Sequence, residues 1–180
     1  MEKAQAKITG TRVNLRPLAE SDLDRRLEMV NDREVQLLYI GAPGDTNTRF
    51  DMESWFYALQ EDPFSEQWAI ETKDGEYIGD IDLHSIHVIR GEAWITPMVG
   101  DLRYLTTPDY RREAIALITE YAFSHHGVEK LLIDIPSTDQ QGLEILRELG
   151  FAVVEEMLFD FLHDVYTVTM AVTPATFRRP

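Results

Sequence analysis

The chain has 180 residues, 17 basic against 32 acidic side chains for a formal charge of −15, 44% hydrophobic residues and no cysteine. That length suits one domain with a sizeable core, and the missing cysteine excludes disulfides, thiolate metal sites and cysteine nucleophiles. The charge repels nucleic acid and anionic membranes, no apolar run reaches spanning length, and residues 1–10 hold no apolar signal core, so a cytoplasmic location is the default expectation.

Residues 8–18 alternate as a first strand, with Val13 and Leu15 on one side, Arg12, Asn14 and Arg16 on the other, and Pro17 ending it. Ser21 is expected to cap a helix whose inner stripe is Leu23, Leu27 and Val30, closed or broken at Asn31-Asp32 before residues 34–39. A Gly-Ala-Pro-Gly loop at 41–44 leads to a helix over residues 48–61 carrying Met52, Trp55, Phe56 and Leu59. Residues 67–72 and 77–88 read as antiparallel strands around a turn at Lys73-Asp74-Gly75-Glu76. Asp80, Asp82 and His84 alternate and share one face of the second strand, which is either the solvent side or a site; without a third ligand of clear spacing no metal is predicted.

Residues 92–100 form the next strand, with Glu92, Trp94, Thr96 and Met98 on one face. Pro97 removes an amide there, which predicts a bulge or an edge position. Ala114, Leu117, Ile118, Tyr121 and Ala122 then recur at helical spacing within a helix over 108–126, and Gly127 stops it. Residues 130–135 are mostly apolar, which suits a strand buried on both faces and parallel to the one before the helix. A helix over 139–149, a closing hairpin of 151–161 and 165–172 around His163-Asp164, and a frayed tail over 173–180 complete the chain.

The run from Glu92 through Glu113-Ala114, Tyr121-Ala122-Phe123 and Leu149-Gly150-Phe151, with Gly10 to Leu18 and Ser21-Asp22 at the start, resembles the GNAT superfamily of acyl-CoA-dependent N-acyltransferases, in its RimJ/RimL-like branch. The resemblance covers residues 8–173 and implies a single α/β domain over 1–180, with a mixed, twisted sheet of six or seven strands flanked by about four helices. It implies acetyl transfer from acetyl-CoA to a primary amine; the charge of −15, which reads either as a solvated surface or as attraction for a cation, points to a small cationic molecule such as a polyamine or an aminoglycoside, or to a basic protein N-terminus, as the acceptor. It is also compatible with a homodimer. By resemblance, a carboxylate on the central strands acts as general base, which singles out Glu92 and then Asp82; the backbone of Met98, Val99 and Gly100 pairs with the pantetheine arm; and Tyr39, Trp55 and Phe56 shape the acceptor pocket.

The chain departs from the family where the pyrophosphate sits on a glycine-rich turn before the long helix, since no glycine lies between Gly100 and Gly127. The two signature positions fall on Thr107 and Asp109, or on Ala114 and Ala116, or in a shortened loop. Thr107-Pro108-Asp109 reads equally as a self-capped helix start, while Arg111 and Arg112 are guanidinium groups able to take a phosphate. On the second helix, Asp139 stands where the family has asparagine, and Leu146 replaces the tyrosine that protonates the leaving thiolate; Tyr104 and Tyr110 are the alternative phenols. These departures keep a second reading open, a protein of this fold that has lost acyl-CoA and serves as a non-catalytic binding or assembly partner.

Overall fold

The computed structural model describes residues 5–87, 89–160 and 165–180. Its eight strands are β1 (Ile8–Thr9), β2 (Val13–Pro17), β3 (Glu66–Thr72), β4 (Tyr77–His87), β5 (Glu92–Val99), β6 (Lys130–Pro136), β7 (Ala152–Asp160) and β8 (Val165–Val172). Its helices are α1 (Leu23–Val30), α2 (Arg33–Tyr39), α3 (Arg49–Glu61), α4 (Leu102–Leu105), α5 (Pro108–His126) and α6 (Gln140–Glu148). The strands form one mixed sheet in the order β1-β2-β3-β4-β5-β6-β8-β7. Every neighbouring pair is antiparallel except β5 and β6, which the crossover through α5 makes parallel.

Helices cover both faces of the sheet. Trp68, Ile70, Ile81, Leu83 and Ile95 pack with Ala114, Ile115 and Ile118 of α5 and with Leu143 and Leu146 of α6. On the other face Ala69, Tyr77 and Met98 pack with Leu23 and Met29 of α1, Val35 of α2, and Met52 and Phe56 of α3. Burial of these side chains from water on both faces is the main force holding the layers together.

The elements read from local signals stand nearly where they were expected. Thr48 caps α3 in a reciprocal box with Asp51, Gly75 turns β3 into β4 at φ 85°, and Gly127 ends α5 at φ 64°. Four expectations need correction. The first strand is two, because the Gly10 N–H donates to the Val13 carbonyl and folds Ile8 back opposite Leu15. Ser21 caps nothing: a 3₁₀ turn at Glu20–Asp22 precedes α1, and the Asp22 carboxylate instead accepts the Ala19 amide and the Arg16 guanidinium. The Thr107 hydroxyl makes no cap bond, although Pro108 does occupy the first position of α5. The residues after β8 are docked rather than frayed, with Phe177 against Phe123, the Arg178 amide on the Leu149 carbonyl and Arg179 paired with Glu120. The His163-Asp164 turn lies outside the described residues.

Gly150 is the hinge between α6 and β7. Its φ is 92°, and a Cβ there would lie 2.0 Å from the Thr176 carbonyl oxygen of the docked C-terminal segment. Gly150→Ala is therefore expected to lower the unfolding free energy by about 2–4 kcal/mol, from left-handed strain plus a displaced segment, measurable by urea denaturation.

Candidate active site at the divergence of β5 and β6

β5 and β6 pair only through Glu92↔Lys130, Ala93↔Leu131 and Trp94↔Leu132, and then part. Beyond Trp94 one edge of β5 faces a wedge instead of a strand. The direction of each peptide follows from Gly100, whose N–H donates to the Ile78 carbonyl near β4. Alternation then points the N–H and C=O of Val99, and the position of Pro97, into the wedge. Pro97 stays in register opposite Ile81 on β4, so it makes no bulge; its missing N–H falls on the unpaired side, the edge position expected of it.

The wedge opens into a cavity of about 260 Å³ lined by Arg26, Tyr39, Ile40 and Trp55 from the helices, Asp80 and Asp82 from β4, Thr96, Pro97 and Met98 from β5, Arg111 from α5, and residues 133–136 of β6. β4 and β5 meet in the register Asp82↔Thr96 and Asp80↔Met98, which joins the two faces singled out in the sequence into one. Helices α1 to α3 cover that face. Asp80 and Asp82 are only 2% and 8% exposed, so the solvent-side alternative for these two is excluded.

The charges in the cavity are unequally compensated. Asp80 accepts the Arg26 Nε–H at 2.9 Å and the Tyr77 hydroxyl at 2.7 Å, and the Arg26 guanidinium lies 3.5 Å above the Trp55 ring. Arg111 donates to Asp139 at 2.6 Å, and Asp139 also caps α6 through the Gly142 amide. Asp82 has no ion pair among the described residues, and its Oδ1 is buried without a hydrogen-bond partner. Burial first, and the charge of Asp80 second, hold the Asp82 carboxyl well above the ordinary aspartate range, against the opposing pull of Arg26. Asp134 on β6, exposed and bound by the Thr169 hydroxyl at 2.6 Å, adds a third acid to the cavity lining.

The remaining site expectations separate by place. Glu92 lies at the closed end of the wedge, outside the cavity lining, paired with Lys130 at 2.5 Å, and that hydrogen bond lowers its pKa. Tyr39 and Trp55 line the cavity, whereas Phe56 is packed in the core beneath α3. The Tyr39 hydroxyl accepts the Val99 N–H at 2.9 Å and also lies 3.2 Å from the Val99 carbonyl, so it occupies both wedge-facing groups of that residue. Gly100 lies at the end of β5, with its amide bound to Ile78. Arg111 is 5% exposed and faces the wedge, while Arg112 lies on the surface, bridging Glu148 and Asp109. Tyr104 donates to Glu76 and packs edge-on against Tyr110, and neither lines the cavity. Arg26 and Asp134 escaped the sequence reading. Arg26 carried no signal beyond its place on a helix, whereas Asp134 interrupts an apolar strand and could have been noticed.

A profile of the family described as Acetyltransferase (GNAT) domain matches residues 12–152, and the chain belongs to that family. The spermidine N(1)-acetyltransferase of Escherichia coli (strain K12) is 25% identical over 154 residues, 83% of this chain and 77% of that protein. The structure of spermidine N-acetyltransferase from Vibrio cholerae in complex with CoA and spermine superposes with a TM-score of 0.81 at 16% identity, covering 93% of this chain and 98% of the other. A GNAT-family acetyltransferase from Bacillus anthracis superposes at 0.78 with 14% identity, over 93% and 98% of the two chains. At these identities the superpositions speak for the fold.

A carboxyl whose folded pKa is raised stabilises the fold only while it is protonated; that contribution is lost as pH rises through the folded value, which for Asp82 lies above 3.8. Asp82→Asn is accordingly expected to raise the melting temperature at pH about 8 and to leave it nearly unchanged at pH about 3, below the unfolded value, where both chains are largely neutral at this position. Thermal unfolding at the two pH values checks the sign.

Proposed function

We propose that the chain transfers an acetyl group from acetyl-CoA to a primary amine of a small polycation, with spermidine and spermine as the first substrates to try. The observation that carries this is the buried, unpartnered Asp82 carboxyl in an acid-lined cavity where β5 and β6 part. The resemblance to spermidine acetyltransferases supports the choice of polycation, as does the net charge of −15.

Acetyl-CoA is the donor of this family and supplies an activated thioester. The residues present fit its thioester end once the Tyr39 hydroxyl gives way, because the Val99 backbone groups it holds on the wedge side of β5 are those an extended, amide-bearing arm would pair with. At the other end, the amides that open α5 are not claimed by the Thr107 hydroxyl, and Arg12 and Arg112 both pair with Asp109, offsetting the acid beside any bound phosphate. Asp82 takes the proton of the incoming ammonium, so the amine attacks as a neutral nucleophile; its raised pKa brings it nearer the working pH of a general base. Asp134 holds a further positive charge of the substrate, and Met98, Ile133 and Ile135 exclude water from its methylene chain. Glu92, paired with Lys130 at the closed end of the wedge and outside the cavity, is the weaker base candidate.

Acetyl-CoA and spermidine should yield acetylspermidine and free thiol, read by thiol release and mass spectrometry. Asp82→Asn should lower kcat by about 10²–10⁴-fold. No turnover with any primary amine, together with no calorimetric binding of acetyl-CoA, would overturn this reading in favour of a non-catalytic binding protein. Tyr39→Phe removes the hydroxyl from the Val99 edge while keeping the ring, so acetyl-CoA affinity should rise by about tenfold, the value of roughly one competing hydrogen bond; an unchanged dissociation constant would mean that the arm and Tyr39 do not compete.

A further inference from the structure

The donor-facing edge of β5 lacks one group that acyl transfer uses. As the amine adds to a thioester, its carbonyl oxygen takes up negative charge and needs a fixed donor. Pro97 faces the wedge and has no N–H, and the Val99 N–H is bound by Tyr39. A buried cation stands in the same cavity.

The Arg111 guanidinium is 5% exposed, yet it makes one hydrogen bond among the described residues, from Nη1 to Asp139, and its buried Nε has no partner. A structural ion pair this deeply buried is normally satisfied on every donor, since burying a charge costs more than one partner returns. The pair is also held in place from several sides. The Tyr39 ring lies 4.9 Å from the guanidinium carbon. A Cβ at Gly142 would come within 2.4 Å of the Asp139 carboxylate and 2.7 Å of Nη1, so no larger residue fits beside the pair. Asp139 fixes one edge of the guanidinium and leaves donors over for the cavity.

We propose that Arg111 polarises the thioester carbonyl, in place of the backbone amide that Pro97 lacks; this rests on the acetyl-transfer reading above. Once Asp82 has passed the ammonium proton on to solvent, the neutral amine nitrogen forms a bond to the carbonyl carbon while its second proton passes to Asp82 and the π electron pair moves onto oxygen. Arg111 donates hydrogen bonds to that oxygen. The pair then returns, the C–S bond breaks, and the sulfur leaves as thiolate, which is protonated by water or by Asp82. No other reactant is required.

The test compares acetyl-CoA with CoA, which lacks the carbonyl, by calorimetric titration of the parent, of Arg111→Lys, which keeps a cation beside Asp139, and of the neutral double variant Arg111→Gln with Asp139→Asn. Circular dichroism checks folding. The parent should prefer acetyl-CoA by about tenfold; both variants should bind the two ligands equally, and kcat should fall about a hundredfold while KM for the amine holds. An unchanged preference, a kcat within threefold of the parent, or an equal loss of both ligands overturns the assignment while leaving acetyl transfer standing. Failure of the parent to bind acetyl-CoA removes both.

Discussion

The constraint on which the site depends is the parting of β5 from β6. Two parallel strands held together by only three residue pairs must satisfy the peptide groups they stop sharing, and an open edge inside a protein is costly unless it is occupied. The chain answers locally. Pro97 has no amide to satisfy, Gly100 donates toward β4, and the Tyr39 hydroxyl serves both groups of Val99. α5, which makes the crossover and packs beneath the sheet, sends Arg111 into the gap so opened, and α6 sends Asp139 to meet it.

Electrostatics around that gap follow a simple rule with one exception. The deeply buried acids on this side of the molecule have cations of their own: Asp22 has Arg16, Asp80 has Arg26, Asp101 has Arg25 and Arg103, and Asp139 has Arg111. Asp82 has only the Arg26 charge that Asp80 already engages. An uncompensated carboxyl in low dielectric is destabilising when ionised, which is the condition under which it accepts a proton well. The same side chain thus weakens the fold and suits it to receive a cationic amine. The acidic composition of the whole chain acts at longer range, drawing cations toward the cavity without selecting among them.

Much of the fold was legible because its signals are local. The stripe on α5, its terminal Gly127 and the Gly75 turn each depend on residues a few positions apart, and all stand as read. The site was legible in part. Asp82, Tyr39, Trp55 and Arg111 were singled out, but the role of Arg111 shifted once its neighbours were known: it reads from sequence as a phosphate ligand and is a buried cation in the wedge. Glu92 shares its face with Thr96 and Met98 and still falls outside the cavity, because the face is longer than the opening. Ser21 and Thr107 are sound cap residues by type, displaced by an Asp22 carboxylate already tied to Arg16 and by a backbone that turns through α4.

The sequence by itself determined the class of fold, the parallel crossover, the positions of most turns, and the loss of the glycines before α5, since hydrophobic period, glycine and proline act over one or two turns of chain. Only the tertiary structure decided what faces the wedge. Tyr39 meets Val99 across 60 residues and Arg111 meets Asp139 across 28. The burial of Asp82 requires three helices to lie over β4. No local pattern encodes which charge is left without a partner, because that is the remainder after every other charge has found one through space.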